Sequence, residues 1–203
     1  NKSIFIFLSL MLIFRSACAD WNTVPTASMK PTILEGDRIG INKLAYDLHL
    51  PFTHISLLKI ADPQRGDIAV FDSKVSNKRL VKRVIGLPGD TIAMVNNQLI
   101  INGSAIQYID STSESDKLEQ LFEKTHTIRI GDSADHAFAN FHAVTVPANQ
   151  YLVLGDNRDL SADSRVIGFV PREEFVGRSS SVIASFNYDN FYLPRADRFF
   201  KSL

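Results

Sequence analysis

At 203 residues the chain can bury one core with room for an embellishment. Its 22 lysines and arginines balance its 22 aspartates and glutamates, and no arginine-rich run is present, so nothing in the charge points to nucleic acid. Cys18 is the only cysteine, which excludes an internal disulfide and a cysteine-built metal cluster.

Residues 4–14 are apolar apart from Ser9 and carry no charge. As a helix this run is about 16 Å long against a hydrocarbon core of about 30 Å, too short a span alone. The chain opens on Asn1, not methionine, so the run is read as the end of a truncated membrane anchor covering residues 1–19. A rival reading stays open: Lys2, the apolar run and Ala17-Cys18-Ala19 also fit a cleavable secretory signal. A lipoprotein signal fits less well, because Arg15 stands three residues before Cys18. Short β-type runs follow at 37–42, 67–71, 79–86, 91–95, 99–101, 127–130 and 151–154. Turn signals at Glu35-Gly36-Asp37, Leu87-Pro88-Gly89-Asp90 and Asn96-Asn97 join several of them. A short helix is predicted over 115–124 and a single turn over 171–175. The pattern predicts a mainly β domain without internal repeats.

Two segments carry chemistry. Pro25-Thr26-Ala27-Ser28-Met29-Lys30-Pro31-Thr32 offers a serine, and Arg79-Leu80-Val81-Lys82-Arg83-Val84-Ile85-Gly86-Leu87-Pro88-Gly89-Asp90 offers a lysine. A serine hydroxyl needs a neighbouring base as it attacks a carbonyl, and lysine can replace histidine in that role. The lysine must first be desolvated, since an exposed one is protonated at pH 7. A strand over this segment puts Lys82 on one face with Leu80 and Val84, and Val81, Arg83 and Ile85 on the other. Such an apolar face favours the neutral amine. Taken singly, each segment has a plainer reading, because Ser-Met occurs by chance and a strand lysine ordinarily extends its ammonium to water. A third segment adds weight: Gly155-Asp156-Asn157-Arg158-Asp159-Leu160-Ser161-Ala162-Asp163-Ser164-Arg165, followed by Gly168-Phe169-Val170-Pro171. Its composition alone favours a turn. A calcium loop fails, with Arg158, Ser161 and Ile167 at the third, sixth and twelfth positions from Asp156.

No Gly-x-Ser-x-Gly elbow, His-Glu-x-x-His helix, Walker loop or dinucleotide fingerprint occurs. His49 and His54 flank a proline-interrupted stretch that suits no metal pair, and His126, His136 and His142 read as loop or surface residues.

The three segments, with Arg65-Gly66-Asp67-Ile68-Ala69-Val70-Phe71 between the first two, resemble in kind and order the signature boxes of type I signal peptidases, the membrane-anchored Ser/Lys leader peptidases. The resemblance runs from about Phe14 to Phe186 and is thin over 96–149. It implies Ser28 as nucleophile, Lys82 as general base, and Thr26 with the Ser28 N–H as oxyanion hole. Ser161 would orient the lysine amine, Asp163 and Arg165 would form a supporting ion pair, and Gly155 would allow close backbone approach. Val24, Pro25, Met29 and Val81 would line shallow pockets selecting Ala-x-Ala, although for single apolar residues core packing is the commoner role.

The implied fold is a coiled antiparallel β catalytic domain in two parts, 20–95 and 151–203, around a variable β insertion over 96–150, preceded by the anchor. Phe14-Arg15 stands where family members carry such a pair after their apolar helix. The implied partners are signal-peptide-bearing preproteins and the lipid bilayer, and no cofactor or metal is implied. The location would be the bacterial inner membrane, with the catalytic domain on the periplasmic or extracytoplasmic side; the placement of Lys2 supports this weakly and Arg15 opposes it. Thr26 and Leu160 depart from the commoner serine and polar residue, and the insertion is short. A conjugation-system or pilin-processing peptidase therefore stays open, as does an inactive membrane-tethered paralogue. A Ser/Lys self-cleaving repressor would need a DNA-binding segment where this chain has an apolar one.

Overall fold

The computed structural model of the protein describes residues 2–53, 55–111, 113, 115–131 and 138–203. In chain order these contain helix α1 (Lys2–Ala17) and strands β1 (Ala19–Thr23), β2 (Asp37–Asn42), β3 (Asp47–His49), β4 (Ser56–Lys59), β5 (Ile68–Ser73), β6 (Lys78–Gly86) and β7 (Thr91–Val95). Next come β8 (Gln98–Ile101), β9 (Ser104–Ala105), β10 (Gln107–Asp110), β11 (Asp116–Leu121), β12 (Lys124–Arg129), β13 (Phe141–Thr145) and β14 (Gln150–Leu154). Helix α2 (Ser164–Ile167), β15 (Val170–Pro171), β16 (Phe175–Asn187), β17 (Leu193–Pro194) and β18 (Lys201–Ser202) close the chain.

The fold is mainly β and its strand pairs are antiparallel. One sheet runs β1-β2-β16-β5-β6-β14-β15, so strands from residues 19–86 and from 150–187 interleave in it. The intervening chain builds two smaller sheets, β13-β7-β8-β9 and β10-β11-β12. Strand β7, which precedes residue 96, pairs with β8 across Asn96 and Asn97. Both asparagines are left-handed, at φ 49° and 65°, as a two-residue hairpin turn requires.

The β5–β6 hairpin is a wall between two cores. Its register sets Val70 opposite Val81 and Phe71 opposite Leu80. Side-chain alternation then sends Ile68, Val70 and Val81 to a cluster with Val24, Met29, Ile33, Ile39, Ile41 and Val182. Ala69, Phe71, Leu80 and Val84 go to the opposite cluster with Tyr46, Tyr151, Val153 and Phe175. A third cluster, including Ile85, Ile92, Leu99, Leu121 and Leu152, joins the sheet to the insertion.

Two sequence expectations are corrected. The helix expected over 115–124 is instead β11, a turn with Phe122 at φ 58°, and the start of β12. Its lysines, glutamates and leucines favour helix locally, but Leu121 belongs to the third cluster and Glu119 is fully buried against an arginine, so tertiary packing decides. The 13-residue β16 was not expected, because its Ser179-Ser180-Ser181 run lacks strand character. Helix α1 has 16 residues and exposes most of its apolar side chains, among them Phe5 and Phe7. Among the described residues no helix is long and apolar enough to cross a membrane.

Candidate active site

Strand β6 carries Lys82 to a buried position, 3% exposed. Its Nζ donates to Ser28 Oγ at 2.6 Å, from a residue 54 positions away in the chain. Ser28 lies in the loop between β1 and β2, and Thr26 Oγ1 stands 3.4 Å from its Oγ. This loop is anchored by backbone contacts: the Asn157 N–H donates to the Ser28 carbonyl at 3.1 Å, and Asn157 Nδ2 donates to the Ala27 carbonyl at 3.1 Å. Gly155 packs directly behind it. A Cβ there would lie 2.5 Å from the Ser28 carbonyl oxygen and would collide with the Ser161 side chain, so no other residue fits without displacing the serine.

Desolvation pushes the Lys82 amine down from 10.5 to about 8, against the upward pull of Asp163 and Asp156. Both carboxylates are engaged elsewhere. Asp163 accepts from Arg165 Nε at 2.8 Å and Nη2 at 2.7 Å, and also from the Gly155 N–H at 2.9 Å. Asp156 accepts from Arg83 Nε at 2.8 Å and Nη2 at 2.7 Å, and from Thr32 Oγ1 at 2.5 Å. No carboxylate forms an ion pair with Lys82 among the described residues, so burial prevails, and a reactive free-amine fraction, about a tenth at pH 7 and about half at pH 8, is present.

Of the residues singled out in the sequence, Ser28, Lys82, Thr26, Gly155, Asp163 and Arg165 converge here. Ser161 is buried beside Gly155, and its hydroxyl has no hydrogen-bond partner. Val24, Met29 and Val81 share one apolar cluster, while Pro25 lies exposed on the surface. His126, expected at the surface, is corrected: its side chain is 8% exposed and its Nε2 lies 3.0 Å from Glu119 Oε2. His54 and His136 lie outside the described residues. Among those described, no group of histidine, cysteine, aspartate or glutamate is arranged to hold a metal.

Sequence reading missed the supporting shell. Arg158 Nη2 donates to Glu119 Oε2 at 2.6 Å, both residues fully buried, and Arg158 Nε reaches the Gly155 carbonyl. Burial alone would raise the Glu119 pKa, but Arg158 and His126 outweigh it and hold the carboxyl down at about 2. The insertion also grips the same segment where the Arg129 N–H donates to the Asp156 carbonyl and the Gly131 N–H donates to Asp159. The available signal was the charge of Arg83 in an otherwise apolar strand stretch, while Asp156 and Arg158 stand in a polar loop that reads as a turn; their partners lie too far along the chain for periodicity to reveal.

A serine held against a buried lysine on an antiparallel β scaffold can deliver an alkoxide equivalent to a carbonyl, which is hydrolase chemistry. The sequence matches the family described as signal peptidase, peptidase S26, over residues 1–184. The chain is a serine peptidase, and it belongs to that signal peptidase family. It is similar to a signal peptidase I of Pseudomonas aeruginosa, at 35% identity over 90% of this chain and 70% of that protein. A signal peptidase I of Buchnera aphidicola is 31% identical over 91% of this chain and 74% of its own length. A crystal structure of a signal peptidase I from Enterococcus faecalis matches 58% of this chain and 97% of that one, at 31% identity and a TM-score of 0.39.

Proposed function

We propose that the chain cleaves signal peptides from exported preproteins with Ser28 as nucleophile and Lys82 as general base. The observation that carries this is the 2.6 Å contact between Lys82 Nζ and Ser28 Oγ at a lysine whose amine burial has brought down to about 8. In the neutral form the contact runs the other way, with the serine hydroxyl donating to nitrogen. Ser28 Oγ attacks the peptide carbonyl as its proton passes to Lys82. The ammonium so formed protonates the leaving amine, and an ester to Ser28 remains. Water then attacks the ester, giving its proton to Lys82, and the signal peptide leaves with a new carboxylate. Negative charge on the carbonyl oxygen is met by the Ser28 N–H, which makes no hydrogen bond among the described residues, and by the Thr26 hydroxyl.

Arg165 and Arg83 occupy the aspartates that would otherwise hold Lys82 protonated, and the buried Ser161 hydroxyl, which has no other hydrogen-bond partner among the described residues, serves to orient the amine. Val24, Pro25, Met29 and Val81 shape the contact to small side chains in an Ala-x-Ala pattern. Residues 1–19 act as membrane anchor, 20–95 and 151–203 as the catalytic sheet, and 96–150 as the insertion that clamps it. Support for the anchor is the apolar, exposed surface of α1, about 24 Å long at 1.5 Å per residue. The catalytic domain then lies on the extracytoplasmic side of the bacterial inner membrane, where a preprotein presents its cleavage site.

Processing of a preprotein with an Ala-x-Ala site in detergent tests the substrate assignment. The mature product begins directly after the second alanine, and replacing that alanine with leucine slows the cut by about tenfold or more. Equal cutting of both substrates, or a cut elsewhere, overturns it.

A further inference from the structure

A cleft of about 710 Å³ lies between the catalytic sheet and the hairpin β11–β12, with the start of β5, the middle of β16 and the chain around Lys201 completing its walls. Neither Ser28 nor Lys82 lines it. It shares a wall with their site all the same, through Thr32, four residues past Ser28, and Arg83, next to Lys82.

The charges in this wall do not cancel. Arg83 is taken by Asp156, and Asp116 by Arg129. That leaves Lys124, Arg178 and Lys201 with one carboxylate, Asp67. Lys124 Nζ and Arg178 Nη1 stand 3.5 and 3.6 Å from the same oxygen, Asp67 Oδ1, both longer than the about 2.7–2.9 Å of a close charge-assisted contact. The other Asp67 oxygen accepts from the Tyr46 hydroxyl at 3.2 Å and from the Gln64 N–H at 3.1 Å. Lys201 is exposed and pairs with no carboxylate among the described residues. One carboxylate cannot neutralise three cations, so the cleft carries positive charge in excess.

An orphaned donor stands in the same lining. Ser179 is 3% exposed, and its Oγ has no hydrogen-bond partner among the described residues. A buried hydroxyl is ordinarily satisfied, because an unmade hydrogen bond leaves its desolvation uncompensated. Lysine and arginine with a hydroxyl donor, converging from β12 and β16, are the groups that hold a phosphate oxyanion. A phosphomonoester brings about −1.5 to −2 charge at pH 7 and three strong acceptor oxygens, enough for both cations and the hydroxyl at once. A carboxylate brings one charge and two oxygens. The cleft is also larger than a phosphate alone, and Pro31 and Leu203 give it an uncharged stretch of wall for the organic part of an ester.

We propose that this cleft binds a phosphomonoester, with Lys124 and Arg178 on the phosphate oxygens and the Ser179 hydroxyl donating to one of them. Asp67 aligns the two cations without cancelling both. The binding does not depend on the roles given to Ser28 and Lys82.

The test is isothermal titration calorimetry of the full chain in a non-ionic detergent, at fixed ionic strength and without phosphate buffer. Glycerol 3-phosphate is expected to bind one to one. Arg178→Gln and Lys124→Gln each weaken it by about tenfold or more, and Ser179→Ala weakens it severalfold. Lys74→Gln, which removes an exposed lysine outside the cleft, leaves it unchanged. Lys124 and Arg178 are exposed and Ser179 Oγ has no partner to lose, so the variants are expected to fold, and an unchanged Tm without ligand checks this. Short-chain phosphatidate, with the same phosphate on a lipid, separates the two sources: much tighter binding than glycerol 3-phosphate assigns the site to a lipid headgroup, and equal or weaker binding to a soluble ester. No binding of either at millimolar concentration overturns the proposal. So does a loss in Lys74→Gln equal to that in the cleft variants, which would mean diffuse attraction to surface charge, and so does succinate binding as tightly as glycerol 3-phosphate, which would make this a carboxylate site.

Discussion

The Lys82 ammonium is disfavoured by burial and by the arginines that take its neighbouring carboxylates, and both effects can be measured. The reactive form carries the free amine, so the rate rises with pH and the acidic limb of kcat/KM centres near 8. Arg165→Met leaves Asp163 uncompensated beside the amine, favours the ammonium and moves that limb to higher pH. An unchanged profile would contradict the role given to the arginine. The same depression of the pKa has a thermodynamic consequence. With the folded value near 8 and the unfolded value near 10.5, the unfolded chain binds more protons between those limits, so stability rises with pH across that window. Below pH 8 the whole cost applies, on the order of 3 kcal/mol for such a shift. Lys82→Met is therefore expected to stabilise the protein at pH 7 by about 1–3 kcal/mol, with the gain shrinking towards pH 10. Urea unfolding at both pH values checks this, and a variant no more stable than the parent at pH 7 would show that the lysine is not desolvated.

At the scale of elements, the hairpin β11–β12 clamps the segment from Gly155 to Arg165, and its grip depends on one fully buried ion pair. Glu119→Gln leaves the Arg158 guanidinium without its counter-charge, and losing one partner of a buried pair costs about 3–5 kcal/mol. Calorimetry should show a lower Tm, with slower turnover following because Arg158 also holds the Gly155 carbonyl behind Ser28. An unchanged Tm would sink the clamp. Glu119 and Asp156 are both held below their ordinary pKa values, so their contribution to stability is complete above the unfolded carboxylate range; that of Glu119 is lost as pH falls towards 2, and that of Asp156 as pH falls through its own depressed value. None of this was legible in the sequence, where Ser115 to Lys124 reads as helix and Glu119 as one more solvated charge. By contrast, β2, β6, β7 and β14 were legible from local alternation bounded by glycine, proline and asparagine, and Ser28 with Lys82 stood in segments whose chemistry is local. What sequence could not supply was pairing across distance. Strand β16 binds β2 and β5 through residues more than a hundred positions away, and its serines take strand geometry from those neighbours instead of from their own propensity.

Across the whole molecule, one sheet solves the problem of bringing a serine from the start of the chain to a lysine from its middle. Strands β2 and β16 hold the Ser28 loop in place from one side, and β5 presents β6 beside it. If α1 anchors that sheet, the full chain stays with the membrane pellet on carbonate extraction, and recovery in the soluble fraction would contradict the anchor. The Ser/Lys dyad is the centre of the account, and its most direct test is cleavage of a preprotein by the full chain in detergent beside Ser28→Ala and Lys82→Ala. Cutting by the parent chain and a loss of about a thousandfold or more in each folded variant is the expected result, the scale on which a nucleophile or its base is missed. Activity persisting in either variant would contradict the role assigned to that residue.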